Sequence, residues 1–256
     1  MTLTADIAYG QIIGQRQRQE DRLAVVRDGE DGPARFLVLS DGMGGAVGGD
    51  IAAGVIVDTV VEALDGAAGG AGAAGSALRA AAVAANKALR ARVRADPGLD
   101  GMGGTLVIVR LAGAGLLFFS MGDSPLRLVR AGQAIRLNAD HSVGGMLDAQ
   151  VARGEISAAA AAERRDRNSI VSVLTGGPIG GMRMDESADL TPLAAGDVLV
   201  LASDGLDTLA AEEIAAVAGQ DRPAVELAEA LLAAVEAADR PRQDNASVIV
   251  ARFRPS

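Results

Sequence analysis

The sequence predicts an α+β fold: two stacked, mainly antiparallel β-sheets covered by pairs of helices. Three observations predict it. Short Val/Leu/Ile-rich runs recur along the chain with turn residues between them, the middle runs are joined by very short connections, and helical periodicity stands both before and after them. With 256 residues, 49% hydrophobic and 22% charged, the chain can bury a sizeable core without being divided, so residues 1–256 are read as a single domain.

In chain order, the first strands are Arg22–Arg27 and Arg35–Ser40. A helix follows, with Ile51, Val55, Thr59 with Val60, and Leu64 at helical spacing, and Ser76–Asp96 is a second, Ala-rich helix with Arg and Lys on one side. The Gly/Ala stretch Gly66–Gly75 between them reads as a flexible loop. Next come strands Thr105–Leu111, Leu116–Met121 and Pro125–Arg130. Ala112-Gly113-Ala114-Gly115 and Ala131-Gly132 are short enough for hairpins, so this part of the sheet is expected to be antiparallel. Strand Asp197–Ala202 precedes a second helix pair. Its members are Ala211–Ala218 and a helix that opens at Asp221-Arg222-Pro223, a cap with proline in the first turn, and runs through Val225, Ala228, Leu231 and Val235. Strand Ser247–Phe253 closes the chain.

Composition narrows the chemistry. There is no cysteine, which excludes disulfides, thiolate zinc sites and a cysteine nucleophile, and one histidine cannot build a site of several imidazoles. Carboxylates are the abundant metal ligands. Asp and Glu number 33 against 24 Lys and Arg, a net charge of −9, and no basic run interleaved with aromatics appears, so nucleic acid is not an expected partner. The first ten residues lack a basic segment followed by an apolar one, and no long uncharged apolar stretch occurs, so a cytoplasmic protein without a membrane span is expected.

Acids stand where a rigid sheet can aim several of them at one point. Asp21 opens one strand, Asp41 ends another and leads into Gly42-Met43-Gly44-Gly45, Asp123 closes a third in Gly122-Asp123-Ser124, Asp204 ends a fourth in Ser203-Asp204-Gly205, and Asp244 precedes the last. Asp-Gly after one strand is an ordinary turn. Its repetition points to hard cations such as Mg²⁺ and Mn²⁺, which want octahedral oxygen ligands. Glycine after Asp41 and Asp204 is expected to let the backbone turn sharply and to leave the Gly42 carbonyl accessible.

These residues, in this order, resemble the metal-dependent protein phosphatase family, also called PPM or type 2C. The motifs that carry the resemblance are Arg16-x-x-Gln19-Glu20-Asp21, Asp41-Gly42-Met43-Gly44-Gly45, Met102-Gly103-Gly104-Thr105-Leu106, Gly122-Asp123-Ser124, Leu137-Asn138-Ala139-Asp140-His141-Ser142, Ser203-Asp204-Gly205-Leu206 and Asp244-Asn245, spread from about Asp6 to Phe253. The resemblance implies an αββα sandwich with two divalent cations, Mn²⁺ or Mg²⁺, at one end. It also implies roles: Asp41 bridging the two cations, Asp204 and Asp244 completing the first, the Gly42 carbonyl and Glu20 serving the second, and Asp21 supporting the cluster. Asp123 and Asp207 match positions of a third, weaker cation, and Arg16 matches the arginine that grips the substrate phosphate, a task its planar fork suits. As a residue opening a helix, Asp207 could equally be a partner of the helix dipole.

Gln19 stands where the family usually has asparagine, Gly104 where threonine or serine is common, and Met43 where many eukaryotic members carry a histidine. Around Val171-Ser172 an arginine expected from the family is absent. The stretch of about residues 143–167 corresponds to the flap of bacterial members, and its Arg164, Arg165 and Arg167 read either as a solvated face or as a guide for acidic phosphopeptides. His141 reads as a structural loop residue.

The function so implied is hydrolysis of phosphoserine and phosphothreonine in proteins by direct attack of a water bridging two cations about 3.5–4 Å apart. The partners implied are bacterial Ser/Thr kinases of the eukaryotic-like type and their targets, with the enzyme a monomer. A catalytically silent phosphoprotein-binding domain on the same fold, and a protein whose acids merely hold structural cations, are the rivals. Intact Asp41, Asp204 and Asp244 oppose the first, and Arg16 beside the acids opposes the second.

Overall fold

The computed structural model describes residues 2–30, 32–44, 48–65 and 74–256. Twelve strands are seen among them: β1 Leu3–Ile12, β2 Asp21–Arg27, β3 Ala34–Met43, β4 Gly103–Gly104, β5 Leu106–Ala112, β6 Gly115–Met121, β7 Leu126–Arg130, β8 Gln133–Arg136, β9 Asp185–Glu186, β10 Thr191–Pro192, β11 Val198–Ala202 and β12 Ala246–Pro255. Helices α1 Gly49–Asp65 and α2 Ala74–Ala95 lie between β3 and β4, α3 Val143–Ala152 and α4 Ala158–Ala162 between β8 and β9, and α5 Ala211–Ala218 and α6 Ala224–Ala237 before β12. Most of the expected Gly66–Gly75 loop lies outside the described residues, as does Gly45.

One sheet runs β1-β12-β11-β7-β8, the other β10-β6-β5-β3-β2 with β4 and β9 appended, and every described pairing is antiparallel. The sheets stack face to face, with α1 and α2 outside one and α5 and α6 outside the other. This explains why the central strands are apolar throughout. Phe36 and Val38 of β3 face the first helix pair while Leu37 and Leu39 face the other sheet; on β11, Val198 and Val200 face α5 and α6 while Leu199 and Leu201 point into the middle layer.

Five details depart from the sequence expectation. β1 is a full edge strand, paired with β12 over its whole length. The hairpins β5–β6 and β7–β8 belong to different sheets, so the chain crosses between sheets at Gly122-Asp123-Ser124 instead of continuing one meander. The buried stripe of α1 is Ala52, Ala53, Ile56, Val57, Val60 and Leu64, with Ile51 and Val55 only half-buried. In α6 Val225 is exposed, and the stripe is Ala224, Leu227, Ala228, Leu231, Leu232 and Val235. That helix is capped across the fold: Ala224 N–H donates to Asp6 Oδ2 of β1 at 2.9 Å, while Asp221 pairs with Arg252 at 2.6 Å. No helix among the described residues is long and apolar enough to cross a membrane.

Candidate metal centre

The acids gather at one end of the sandwich, where both sheets deliver strand ends. Asp21 begins β2 directly opposite Asp41 on β3. β3 does not stop before Asp41 but runs on to Met43, pairing Gly42 with Gly104 and Met43 with Gly103. From the other sheet, Asp204 opens the single 3₁₀ turn Asp204–Thr208 after β11, and Asp244 precedes β12. Asp123 arrives from the crossing between sheets, where Gly122 has φ +109 and a Cβ would lie 2.5 Å from the Thr105 side chain, so glycine is required.

Glycine next to the acids serves close approach rather than turning. A Cβ on Gly42 would lie 2.0 Å from the Gly49 carbonyl oxygen and 2.6 Å from that of Glu20, and one on Gly205 would lie 2.0 Å from the Asn245 carbonyl oxygen. A Cβ on Gly49 would come within 2.8 Å of Glu20 Oε1 and 2.9 Å of the Gly42 carbonyl oxygen. Glu20 and the Gly42 carbonyl therefore open onto the same small space, kept clear by the missing side chain.

Burial and mutual repulsion raise the proton affinity of the cluster. Asp41 is pushed well above the usual carboxylate range, by burial first and then by Asp21, Asp204, Asp123 and Asp244. Asp204 is pushed up to about 7 by burial, Asp123 and Asp244, and Asp123 to about 6, mostly by burial. Asp21 rises to about 6 through burial even though Ser247 and Ser203 donate to its Oδ2 at 2.6 and 2.8 Å. Glu20 is raised as well, by burial against the opposing pull of Arg16. Two carboxylate oxygens, Asp123 Oδ1 and Asp204 Oδ1, are buried with no hydrogen-bond partner.

Other predicted residues are already engaged. Arg16 is ion-paired with Asp244. Asp207, on the 3₁₀ turn, is held by Arg127 at 2.7 Å with Arg136 at 3.9 Å, although it shares a cleft of about 310 Å³ with Asp123 and Asp204. Among the described residues no three acidic or imidazole groups already stand at metal-ligand spacing, in keeping with these competing contacts. His141 is buried, with Nδ1 accepting from Gly122 N–H at 3.2 Å, and burial pushes its imidazole toward the neutral form.

Sequence reasoning passed over several residues that build the site. Asn245 takes the Glu20 N–H on Oδ1 at 2.9 Å and donates from Nδ2 to the Ile13 and Arg18 carbonyls, tying the Arg16 loop to β12. Thr105 Oγ1 accepts from Asp41 N–H at 2.9 Å. Adjacency to Asp244 and the Gly-Gly-Thr motif were the available signals. The departures also find reasons. Gln19 Oε1 accepts from Asp21 N–H at 2.9 Å, and a Cβ on Gly104 already lies 2.9 Å from Ser40 Oγ, leaving little room for a larger residue. Ser172 Oγ accepts from Arg183 N–H at 2.9 Å, a purely local contact.

Comparison with known proteins bears on the whole arrangement. A family model for Protein phosphatase 2C matches residues 11–244. The serine/threonine protein phosphatase PstP of Mycobacterium tuberculosis is 31% identical over 236 residues, 91% of this chain but 44% of the relative, so the chain spans less than half the length of that protein. A crystal structure of M. tuberculosis PstP superposes with a TM-score of 0.82 at 29% identity, covering 100% of both chains. A second PstP structure, the catalytic domain in complex with two manganese ions, gives 0.80 at 29% identity and covers 99% of this chain and 100% of that one. Since the match runs from β1 through the last acid of the cluster, this chain belongs to the protein phosphatase 2C family.

Proposed function

We propose that this chain is a metal-dependent phosphatase that hydrolyses phosphoserine and phosphothreonine in proteins. The observation that carries this reading is the pair of buried, unpartnered oxygens, Asp123 Oδ1 and Asp204 Oδ1, inside a cluster of mutually repelling acids. Such oxygens are costly unless something satisfies them, and the neighbouring carboxylates of Asp41, Asp21 and Asp244 supply the further oxygens that a hard divalent cation takes. The PstP structure with two manganese ions supports the same choice. Asp41, Asp204 and Asp244 would hold one cation, with Asp41 shared by a second that also faces the Gly42 carbonyl and Glu20. Asp123 would face a weaker third position, where unpaired Asp204 Oδ1 suits it better than Asp207, which two arginines occupy. When bound, Mn²⁺ or Mg²⁺ supplies Lewis acidity, neutralising phosphoryl charge and acidifying water for direct attack on phosphorus.

The chain's own groups do the rest. Ser203 and Ser247 fix Asp21 behind Asp41, and Thr105 and Asn245 hold the backbone at Asp41 and at Glu20. Arg16 stands at the rim, half exposed and ion-paired with Asp244, and its planar fork suits an incoming phosphate. Residues 143–167, α3 and α4, form a flap over the cleft, and residues 1–256 work as one phosphatase unit whose substrates are products of eukaryotic-like Ser/Thr kinases. Phosphate release from a phosphothreonine peptide, with and without Mn²⁺, tests the reading. Asp41→Asn and Asp204→Asn should each abolish release while keeping the wild-type circular dichroism spectrum, and full activity in either would defeat the ligand assignment.

A further inference from the structure

Beside the acid cluster, on the Arg16 side, lies a cleft of about 660 Å³ between the end of the flap and the turn before β12. Asp204 and Asp244 form part of it, and Arg16, Arg165, Arg240 and Arg242 are among its other lining residues. Four guanidiniums on one cleft run against the net charge of −9 of the chain. Their bonding also sets them apart. Within the same flap segment, Arg164 is neutralised by Asp166 at 2.6 Å and Arg167 by Asp148 at 2.8 Å. The guanidiniums of Arg165, Arg240 and Arg242 have no partner among the described residues and are exposed.

The backbone beneath two of them is firmly held. Gln243 N–H donates to the Arg240 carbonyl at 3.1 Å, Gln15 N–H to the Gln243 carbonyl at 2.8 Å, and Arg242 N–H to Gln15 Oε1 at 2.8 Å. Thr208 Oγ1 donates to Gln243 Oε1 at 2.8 Å, joining the turn to the segment that carries Asp204. With the backbone already fixed, only the side chains remain to be ordered on meeting an anion, no existing ion pair has to break, and the arginine fork matches a carboxylate.

We infer that this cleft is a specificity subsite in which Arg165, Arg240 and Arg242 receive carboxylate side chains flanking the phosphorylated residue, so that acidic phosphopeptides are the preferred substrates. The inference rests on the proposed phosphatase function, because a phosphoryl group at Arg16 would bring its neighbouring residues into this cleft.

The test compares kcat/KM for phosphothreonine peptides that differ only in their flanks, glutamine throughout or one aspartate moved from three residues before to three after the phosphothreonine, with p-nitrophenyl phosphate as a substrate without flanks. At least one aspartate position should raise kcat/KM, by about two- to fivefold for each arginine engaged, the scale of an exposed ion pair. The advantage should shrink in about 0.5 M salt. The double variant Arg240→Gln/Arg242→Asn should lose most of it yet still turn over p-nitrophenyl phosphate; asparagine suits the backbone of Arg242, which has φ +62. Arg240→Lys should keep most of the preference, since it keeps the charge. Equal rates on acidic and neutral peptides by an enzyme that cleaves p-nitrophenyl phosphate, or an undiminished preference in the double variant, would overturn the subsite alone. No Mn²⁺-dependent turnover of any substrate would overturn the phosphatase reading and the subsite with it.

Discussion

Stripping divalent cations from this protein should make its stability fall as pH rises through the weakly acidic range. In the folded chain Asp123 is raised from 3.8 to about 6 and Asp204 from 3.8 to about 7, in each case by burial first. Between the unfolded and folded values the native state holds protons that the unfolded chain has released, so unfolding gains favour with increasing pH. The penalty is absent well below pH 3.8, where both states are protonated, grows from there, and levels off only once pH has passed the folded value of Asp204, about 7. For Asp123 alone, the rise from 3.8 to about 6 in a side chain only 9% exposed corresponds to about 3 kcal/mol. In a chain of this size that is roughly 6–12 °C in Tm. Asp204 acts in the same direction.

Thermal unfolding followed by circular dichroism in chelator, from pH 4 to 8, reads this directly. Asp123→Asn has no proton to lose, so it should match the wild type near pH 4 and melt higher at pH 8. Mn²⁺ should stabilise the wild type more at pH 8 than at pH 5.5, since protons and cations compete for the same oxygens. If wild type and Asp123→Asn melt in parallel across the range, or if the stripped wild type gains stability between pH 5 and 8, the burial of charged carboxylates is not what governs this end of the fold.

Three further outcomes are expected. Arg16→Ala should raise KM for phosphopeptides more than it lowers kcat, and should tighten Mn²⁺ binding measured by calorimetry because Asp244 loses its competing ion pair; a change in kcat alone would give Arg16 another role. Asp123→Ala should slow phosphothreonine peptides by up to about 10²–10⁴-fold but p-nitrophenyl phosphate far less, because the threonine alkoxide needs a proton on departure, Met43 has none to give, and an aryl oxide leaves unaided; equal slowing of both substrates speaks against it. Asp6→Ala should cost about 0.5–2 kcal/mol in urea unfolding with kcat unchanged, since it removes a helix cap remote from the cluster, and an unaltered midpoint would mean the cap is worth nothing.

The layers of the fold were legible because burial on both faces leaves long apolar runs, and β3, β5, β11 and β12 are such runs. β1 escaped notice for the opposite reason. As an edge strand it carries Thr4, Asp6 and Gln11 among its apolar residues, and its partner β12 lies at the other end of the chain, so no local pattern marks it. Which sheet each hairpin joins was equally hidden, because the switch at Gly122-Asp123-Ser124 looks in sequence like any other tight connection. The acids were visible by type and order. Their contacts were not: that Arg16 holds Asp244, or that Arg127 and Arg136 hold Asp207, depends on side chains brought together across 71 to 228 residues of chain.

The crossing at Asp123 shows how fold and site are one arrangement. Strands of both sheets come to the same edge, so Asp21 and Asp41 within the β2–β3 ladder and Asp123, Asp204 and Asp244 just outside their strands reach a common space on backbones the sheets hold fixed. Gathering acids in this way works against folding, and the structure offsets part of the repulsion locally, with serines on Asp21, Arg16 on Asp244 and two arginines on Asp207. It leaves Asp123 Oδ1 and Asp204 Oδ1 without any such partner. A protein selected for stability alone would pair those oxygens or replace them with apolar groups. A cation arriving at the proposed site would satisfy both oxygens and relieve a burial and repulsion that the fold leaves uncompensated.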